Sequence, residues 1–253
     1  METKKDFSVQ THRSIEESTL EQSMVKLLKE CPIPDDQMLS NLGLFLPSRE
    51  LSRLLFMDFI FRQIQEVQGI VFDFGTRWGS NMTVFSALRG IYEPYNRLRK
   101  IVGFDTFSGF PKIRKEDGKS KAIEIGKCAV PEKYQDYLAA VLDCHEGGNP
   151  LPHIKKYEVC IGDAVKETIK YFKRYPETIV ALVYFDMNLY EPTKRCLEII
   201  SNYLTKGSIV VFDELLESLT PGETIALREV IGLNNVRIKR YPFASRVSYF
   251  IKE

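Results

Sequence analysis

Gly69-Ile-Val-Phe-Asp-Phe-Gly-Thr-Arg-Trp-Gly79, followed by Ser80-Asn81, is the stretch from which the rest of the chain can be read. Ile70, Val71, Phe72 and Phe74 form a short apolar run of the kind that suits a strand covered on both faces. Gly75 and Gly79 bracket the loop that follows, where residues without a Cβ let the chain turn sharply and let a ligand approach the backbone. A helix opening near Ser80 points its free N–H groups into that loop. An ordinary glycine turn between a strand and a helix would look the same, so the reading needs support from the rest of the chain.

Downstream, apolar runs at 101–104, 159–161, 179–185 and 209–212 alternate with helical stretches at 81–88, 164–172, 192–204 and 225–231. Parallel strands require crossover connections, so this alternation predicts a parallel sheet with helices on both faces. The last two runs, 236–238 and 247–251, leave no room for a helix and are expected to pair as an antiparallel hairpin. Segment 111–152 is rich in Lys, Gly and Pro and is long for a plain connection. It is expected to be an insertion over the active-site edge. His145 and His153, near Gly147, Gly148, Pro150 and Pro152, are expected in a loop.

Upstream, residues 1 to about 13 are polar and unpatterned, which predicts an arm. Ser14-Ile-Glu-Glu17 fits a capping box, and Leu20, Met24, Leu27 and Leu28 recur at helical spacing until Cys31-Pro32. Asp35 or Asp36 can cap a second short helix, and Pro47-Ser48 opens a third. Residues 1–68 therefore read as a helical extension of a domain spanning 69–253. Its apolar content exceeds what a small appendage can bury, which predicts a homo-oligomer.

Composition narrows the function. In 253 residues, 35 Lys and Arg balance 34 Asp and Glu, so the net charge gives no case for nucleic acid or an anionic membrane. No apolar run reaches the roughly 18 residues of a spanning helix, and Met1-Glu-Thr-Lys-Lys-Asp6 lacks the apolar core of a signal peptide. A cytoplasmic location is expected. Cys31, Cys128, Cys144, Cys160 and Cys196 are scattered and never in a Cys-x-x-Cys pair, which predicts reduced thiols.

In an open parallel sheet the ligand lies beyond the carboxyl ends of the strands. Asp73 ends the first strand, where a carboxylate opposes a pyrophosphate and suits a cofactor with an amino group. The spacing Asp-x-Gly-x-x-x-Gly is closer to a loop that holds S-adenosylmethionine than to the dinucleotide fingerprint. Asp105 ends the second strand at a distance suited to ribose hydroxyls, or caps the turn at Thr106-Phe107. Asp163-Ala164 ends the third, positioned for an adenine edge or as a helix N-cap. Asp186 ends the fourth, and Asp213-Glu214 the fifth. If those two ends lie side by side, three carboxylates converge and need a counter-charge, which a hard cation such as Mg²⁺ supplies.

Three segments carry a more specific signal: Phe104-Asp-Thr-Phe-Ser-Gly-Phe-Pro111, Tyr184-Phe-Asp-Met-Asn-Leu-Tyr-Glu-Pro-Thr193 and Gly207-Ser-Ile-Val-Val-Phe-Asp-Glu214. With them the chain from Gly69 onward resembles the macrocin O-methyltransferase (TylF-type) family of class I S-adenosylmethionine-dependent methyltransferases. Arg13-Ser-Ile-Glu-Glu-Ser-Thr-Leu-Glu-Gln22 and Cys31-Pro-Ile-Pro-Asp-Asp36 extend the resemblance to family members that methylate a rhamnose in enediyne biosynthesis.

The resemblance implies an α/β, Rossmann-like fold with a mostly parallel seven-stranded sheet and a terminal antiparallel hairpin. It implies a cofactor site at Asp73, Phe74, Gly75, Gly79, Ser80, Asp105, Thr106, Phe107, Asp163, Ala164 and Asp186, with Mg²⁺ at Asp186, Asp213 and Glu214. The implied substrate is a small molecule bearing a sugar hydroxyl, with no nucleic-acid or membrane partner. Family members usually carry an acid where this chain has Asn188, and an amide cannot accept a proton at neutral pH. The base then falls to Asp186, to a metal-bound hydroxide or to His145. Two competing readings are methyl transfer to a catechol-like phenol and a cofactor-binding protein that has lost catalysis.

Overall fold

The computed structural model describes residues 14–253 apart from Ala122, so the arm expected over residues 1–13 lies outside the described residues. Seven strands form one sheet: β1 (Ile70–Phe74), β2 (Ile101–Asp105), β3 (Tyr157–Ile161), β4 (Val180–Phe185), β5 (Leu204–Phe212), β6 (Lys239–Tyr241) and β7 (Ala244–Ile251). Their order is β3-β2-β1-β4-β5-β7-β6. The first five are parallel, and β7 runs antiparallel to both β5 and β6. The order reverses between β1 and β4, which opens a crevice at the carboxyl ends of those strands.

Side-chain alternation along each strand builds two cores. Val71, Ile101, Leu182, Tyr184 and Val211 face α3 (Ser48–Gln63), α4 (Ser80–Tyr92) and α5 (Tyr134–Gly148). Phe72, Phe74, Val183, Phe185 and Phe212 face α6 (Ala164–Arg174), α7 (Tyr190–Ile200) and α8 (Gly222–Val230). Helix α3 buries Phe56, Met57, Ile60 and Phe61 against the sheet, so it belongs to the three-layer core. The two preceding helices differ. In α1 (Ile15–Lys29) and α2 (Asp35–Met38) no residue is buried. Helix α1 does open on the expected capping box, with Glu17 N–H donating to Ser14 Oγ and Ser14 N–H to Glu17. No described helix is long and apolar enough to cross a membrane.

Three local expectations need correction. Segment 111–152 is not all irregular, because its second half is α5, the crossover helix between β2 and β3, with Leu138 and Leu142 one turn apart and buried. His145 therefore lies in the last turn of α5, not in a loop. The penultimate strand sits at Lys239–Tyr241 instead of 236–238, because pairing with β7 is set by a tight turn at Pro242-Phe243 that places Tyr241 opposite Ala244. Finally, Pro34 occupies the N-cap of α2, which puts Asp35 and Asp36 in its first turn, where acids favour the helix dipole.

Candidate active site

A row of phenylalanines carries the site. Phe104, Phe74, Phe185 and Phe212 lie in register at the carboxyl ends of four adjacent strands. Their rings stack with centroids 4.7, 5.1 and 5.2 Å apart. The next residue of each strand is Asp105, Gly75, Asp186 or Asp213, so packing beneath the row lines up three acids and a glycine above it. They open into a cleft of about 1280 Å³.

Close approach to backbone requires Gly75, and left-handed backbone favours glycine at both Gly75 and Gly79. Both have positive φ, +85° and +76°. A Cβ on Gly75 would lie 2.0 Å from the Asp186 carbonyl oxygen, and one on Gly79 would lie 2.1 Å from Leu138 of α5. Below the loop, Asp73 is fully buried and accepts a hydrogen bond from Asn81 Nδ2 at 2.9 Å. Burial pushes its pKa up to about 6, against the opposing effects of Asn81, Thr76 and Arg53. Arg53, from α3, donates to Asn81 Oδ1 at 2.7 Å. Asp73 Oδ2 and Arg53 Nε are both buried without a hydrogen-bond partner. Arg53 lines the cleft with its positive charge, which suits the carboxylate of an amino acid, while Asp73 lies fully buried beneath the loop.

Asp105 receives backbone N–H groups from Arg77 at 2.8 Å and Phe107 at 2.6 Å. Burial raises its pKa despite both bonds. Asp163 caps α6, accepting from Lys166 N–H at 3.0 Å, and also lines the cleft.

Acids gather at the ends of β4 and β5. Tyr184 Oη donates to Asp213 Oδ1 at 2.9 Å, and Asn188 Nδ2 donates to Glu214 Oε2 at 2.6 Å. Arg246 of β7 pairs with Asp213 at 3.1 Å and also with Glu214, while Arg53 stands 3.7 Å from Asp186. Burial first, then the neighbouring Asp213, raises the Asp186 pKa well above the usual carboxylate range. Burial likewise raises Glu223, with Asp186, Glu214 and Asp213 adding to it. Burial alone would lower the pKa of Arg53, yet the surrounding Tyr184, Asp213, Asp186 and Asp73 raise it. This corner is short of positive charge. Among the described residues, however, no three acidic, histidine or cysteine side chains are gathered as a metal site.

Of the residues singled out in the sequence, Gly75, Ser80, Asp105, Thr106, Asp163, Ala164, Asp186, Asn188, Asp213 and Glu214 line this one cleft. Asp73, Phe74, Gly79 and Phe107 support it from beneath, with Phe74 and Phe107 packed in the two cores. His145 is not brought to it. The adjacent Glu146 pairs with Arg89 and Lys156, and Lys156 precedes β3, at the opposite end of that strand from the cleft. Arg53, Asn81, Arg246 and Glu223 were missed. Nothing in their local sequence marks them, although two cations facing an acidic corner are what its charge demands.

Comparisons with known proteins agree with this geometry. A solved structure of CalS11, the calicheamicin methyltransferase, shares 43% identity and a TM-score of 0.93, covering 98% of this chain and 97% of that one. The apo structure of CalS11, described as TDP-rhamnose 3'-O-methyltransferase, gives 41%, 0.85, 95% and 96%. The O-methyltransferase NovP shares the fold, with 16% identity and a TM-score of 0.59 over 93% of this chain and 98% of that one. Neither the family models nor the curated proteins yield a match. With 41–43% identity across nearly the whole chain, and strand-end acids facing a glycine loop, the chain belongs to the macrocin O-methyltransferase (TylF-type) family of class I S-adenosylmethionine-dependent O-methyltransferases.

Proposed function

We propose that the chain transfers the methyl group of S-adenosylmethionine to a sugar hydroxyl of a small molecule, a nucleotide-linked deoxysugar or a glycosylated natural product, with Mg²⁺ as a second cofactor. The observation that carries the sugar is the near-full-length likeness to CalS11, a TDP-rhamnose 3'-O-methyltransferase. Mg²⁺ is proposed from donor chemistry alone, since carboxylates and the amide oxygen of Asn188 are hard ligands, although among the described residues these side chains are not gathered as a metal site. Asp186, Asp213 and Glu214 would hold the ion, in competition with Arg246 for two of the three. When bound, Mg²⁺ supplies positive charge that orients the acceptor hydroxyl and lowers its pKa.

The remaining work falls to the chain itself. Arg53, lining the cleft, offers positive charge to the methionine end of the cofactor, and Asp73 sets a negative charge beneath the loop that holds it. Asp105 keeps its carboxylate in place with two backbone bonds and presents it to the ribose. Asp186 lines the cleft at the end of β4 and is the carboxylate placed to take the acceptor's proton. Asn188 positions Glu214 and does not accept a proton. Holding donor and acceptor in line provides much of the rate, since the sulfonium is already a strong electrophile.

The exposed apolar side chains of the N-terminal helices, among them Ile15, Leu20, Leu27 and Leu39, support a homo-oligomer. Light scattering after size exclusion tests that, and a monomer at all concentrations rejects it. The function itself is tested by mass spectrometry of the purified protein with S-adenosylmethionine and a panel of nucleotide-linked deoxysugars, glycosides and catechols, with and without EDTA. Methylation of a sugar hydroxyl that stops in EDTA is the expected result. Methylation of catechols alone, or of nothing despite cofactor binding, would overturn it.

A further inference from the structure

Thr220-Pro-Gly-Glu223 opens α8, and an acid in the first turn of a helix is ordinarily a solvated residue favoured by the helix dipole. Glu223 is instead fully buried. One of its oxygens accepts the backbone N–H groups of Met187 and Asn188, each at 3.1 Å. The other faces the N–H of Glu214 at 3.4 Å. A single carboxylate thus joins the loops that follow β4 and β5, and those loops carry Asp186, Asn188 and Glu214.

Two features show how tightly this contact is built. A Cβ on Gly222 would lie 2.6 Å from Tyr190 N and 2.9 Å from the Asn188 carbonyl oxygen, so the helix start approaches the loop as only glycine allows. Asn188 is held at φ +58°, in the left-handed region that costs most residues energy and asparagine less. From that backbone position its side chain reaches Glu214 Oε2 at 2.6 Å. Glu223 itself does not line the cleft.

From this we infer that Glu223 is a positioning residue for methyl transfer, a buried clamp that fixes the loops after β4 and β5 so that Asp186, Asn188 and Glu214 face the acceptor together. The inference rests on the proposed role of those three residues. Glu223 does not line the cleft, so its loss is expected to act on the acceptor half and to leave the methionine and adenosine half unchanged.

Glu223→Gln and Glu223→Met separate the contacts. Glutamine retains an acceptor for Met187 and Asn188 but turns an N–H donor toward the Glu214 N–H. Methionine fills the space and accepts nothing. Three readouts are combined: hydrogen exchange of peptides covering 186–190 and 213–216, the dissociation constant of S-adenosylhomocysteine, and kcat and KM for methyl transfer. For Glu223→Gln the expected result is faster exchange confined to 213–216 and a kcat lowered about tenfold, with affinity for S-adenosylhomocysteine within about twofold of wild type. For Glu223→Met, exchange rises in both peptides.

Wild-type exchange in both variants overturns the clamp. So does a Glu223→Gln protein that loses cofactor affinity along with kcat, or one that keeps full kcat. If no acceptor is methylated even by the wild type, the proposed function fails, and the exchange arm alone still decides whether Glu223 holds the two loops. Should Glu223→Met fail to fold, Glu223→Gln carries the test.

Discussion

Asn188 and Glu214 meet across the ends of neighbouring strands, the amide of one donating to a carboxylate oxygen of the other at 2.6 Å. An aspartate at 188 would set two carboxylates against each other, and one would bind a proton or require a cation. Asn188→Asp is therefore expected to lower the melting temperature in EDTA by about 5 °C, the effect of losing a hydrogen bond to a charged group. Millimolar Mg²⁺ should restore it. Equal melting temperatures for wild type and variant in both buffers would show that the contact contributes nothing.

Arg246 supplies the positive charge at Asp213 and Glu214, and its side chain is 60% exposed. Pairs that exposed contribute little to stability. Arg246→Met should cost little in folding while freeing two ligands, so Mg²⁺ measured by calorimetry should bind about tenfold more tightly. Unchanged or weaker Mg²⁺ binding would argue that Arg246 does not compete with the ion.

Asp73 is fully buried with its pKa pushed up to about 6. Such an acid holds its proton more tightly folded than unfolded. Its contribution to stability is greatest below about pH 4, declines as pH rises toward 6, and costs on the order of 3 kcal/mol above that. Asp73→Asn keeps an acceptor for Asn81 and removes the titration. Unfolding by urea across this range should show a flatter pH profile for the variant without cofactor, with a gain at neutral pH. Its affinity for S-adenosylhomocysteine should fall about tenfold through loss of the negative charge. Parallel pH profiles for the two proteins would contradict the buried titration.

Asp213 and Glu214 lie at the opposite side of the cleft from the residues assigned to the cofactor's ribose and adenine. The double variant Asp213→Ala, Glu214→Ala should lose about a hundredfold or more in turnover. Its cofactor affinity, read by calorimetry with S-adenosylhomocysteine, should remain close to wild type. Full turnover by this variant with a chelator present would remove both the acids and the ion from the mechanism.

Most of the fold was legible because its signals are local. Phe72 and Phe74 mark a strand, Gly75 and Gly79 a turn, and Asp105, Asp186 and Asp213 each follow a phenylalanine at the end of a strand. The helix at Tyr134–Gly148 was obscured by the two glycines that end it and the prolines after it, and with it the place of His145. The strand at Lys239–Tyr241 was displaced because pairing with its neighbour set its bounds, not its own apolar pattern.

By itself the sequence determined the alternation of strands and helices, the glycine loop and the acid at each strand end, since periodicity and residue type act over a few neighbouring positions. Only the tertiary structure decided which groups share a charge. Arg53 meets Asn81 28 residues away, Arg246 meets Asp213 33 residues away, and Glu223 meets Asn188 35 residues away. Those encounters follow from how helices and the hairpin pack onto the sheet. Burial at the strand ends, produced by the same packing, is what raises the pKa values of Asp73 and Asp186.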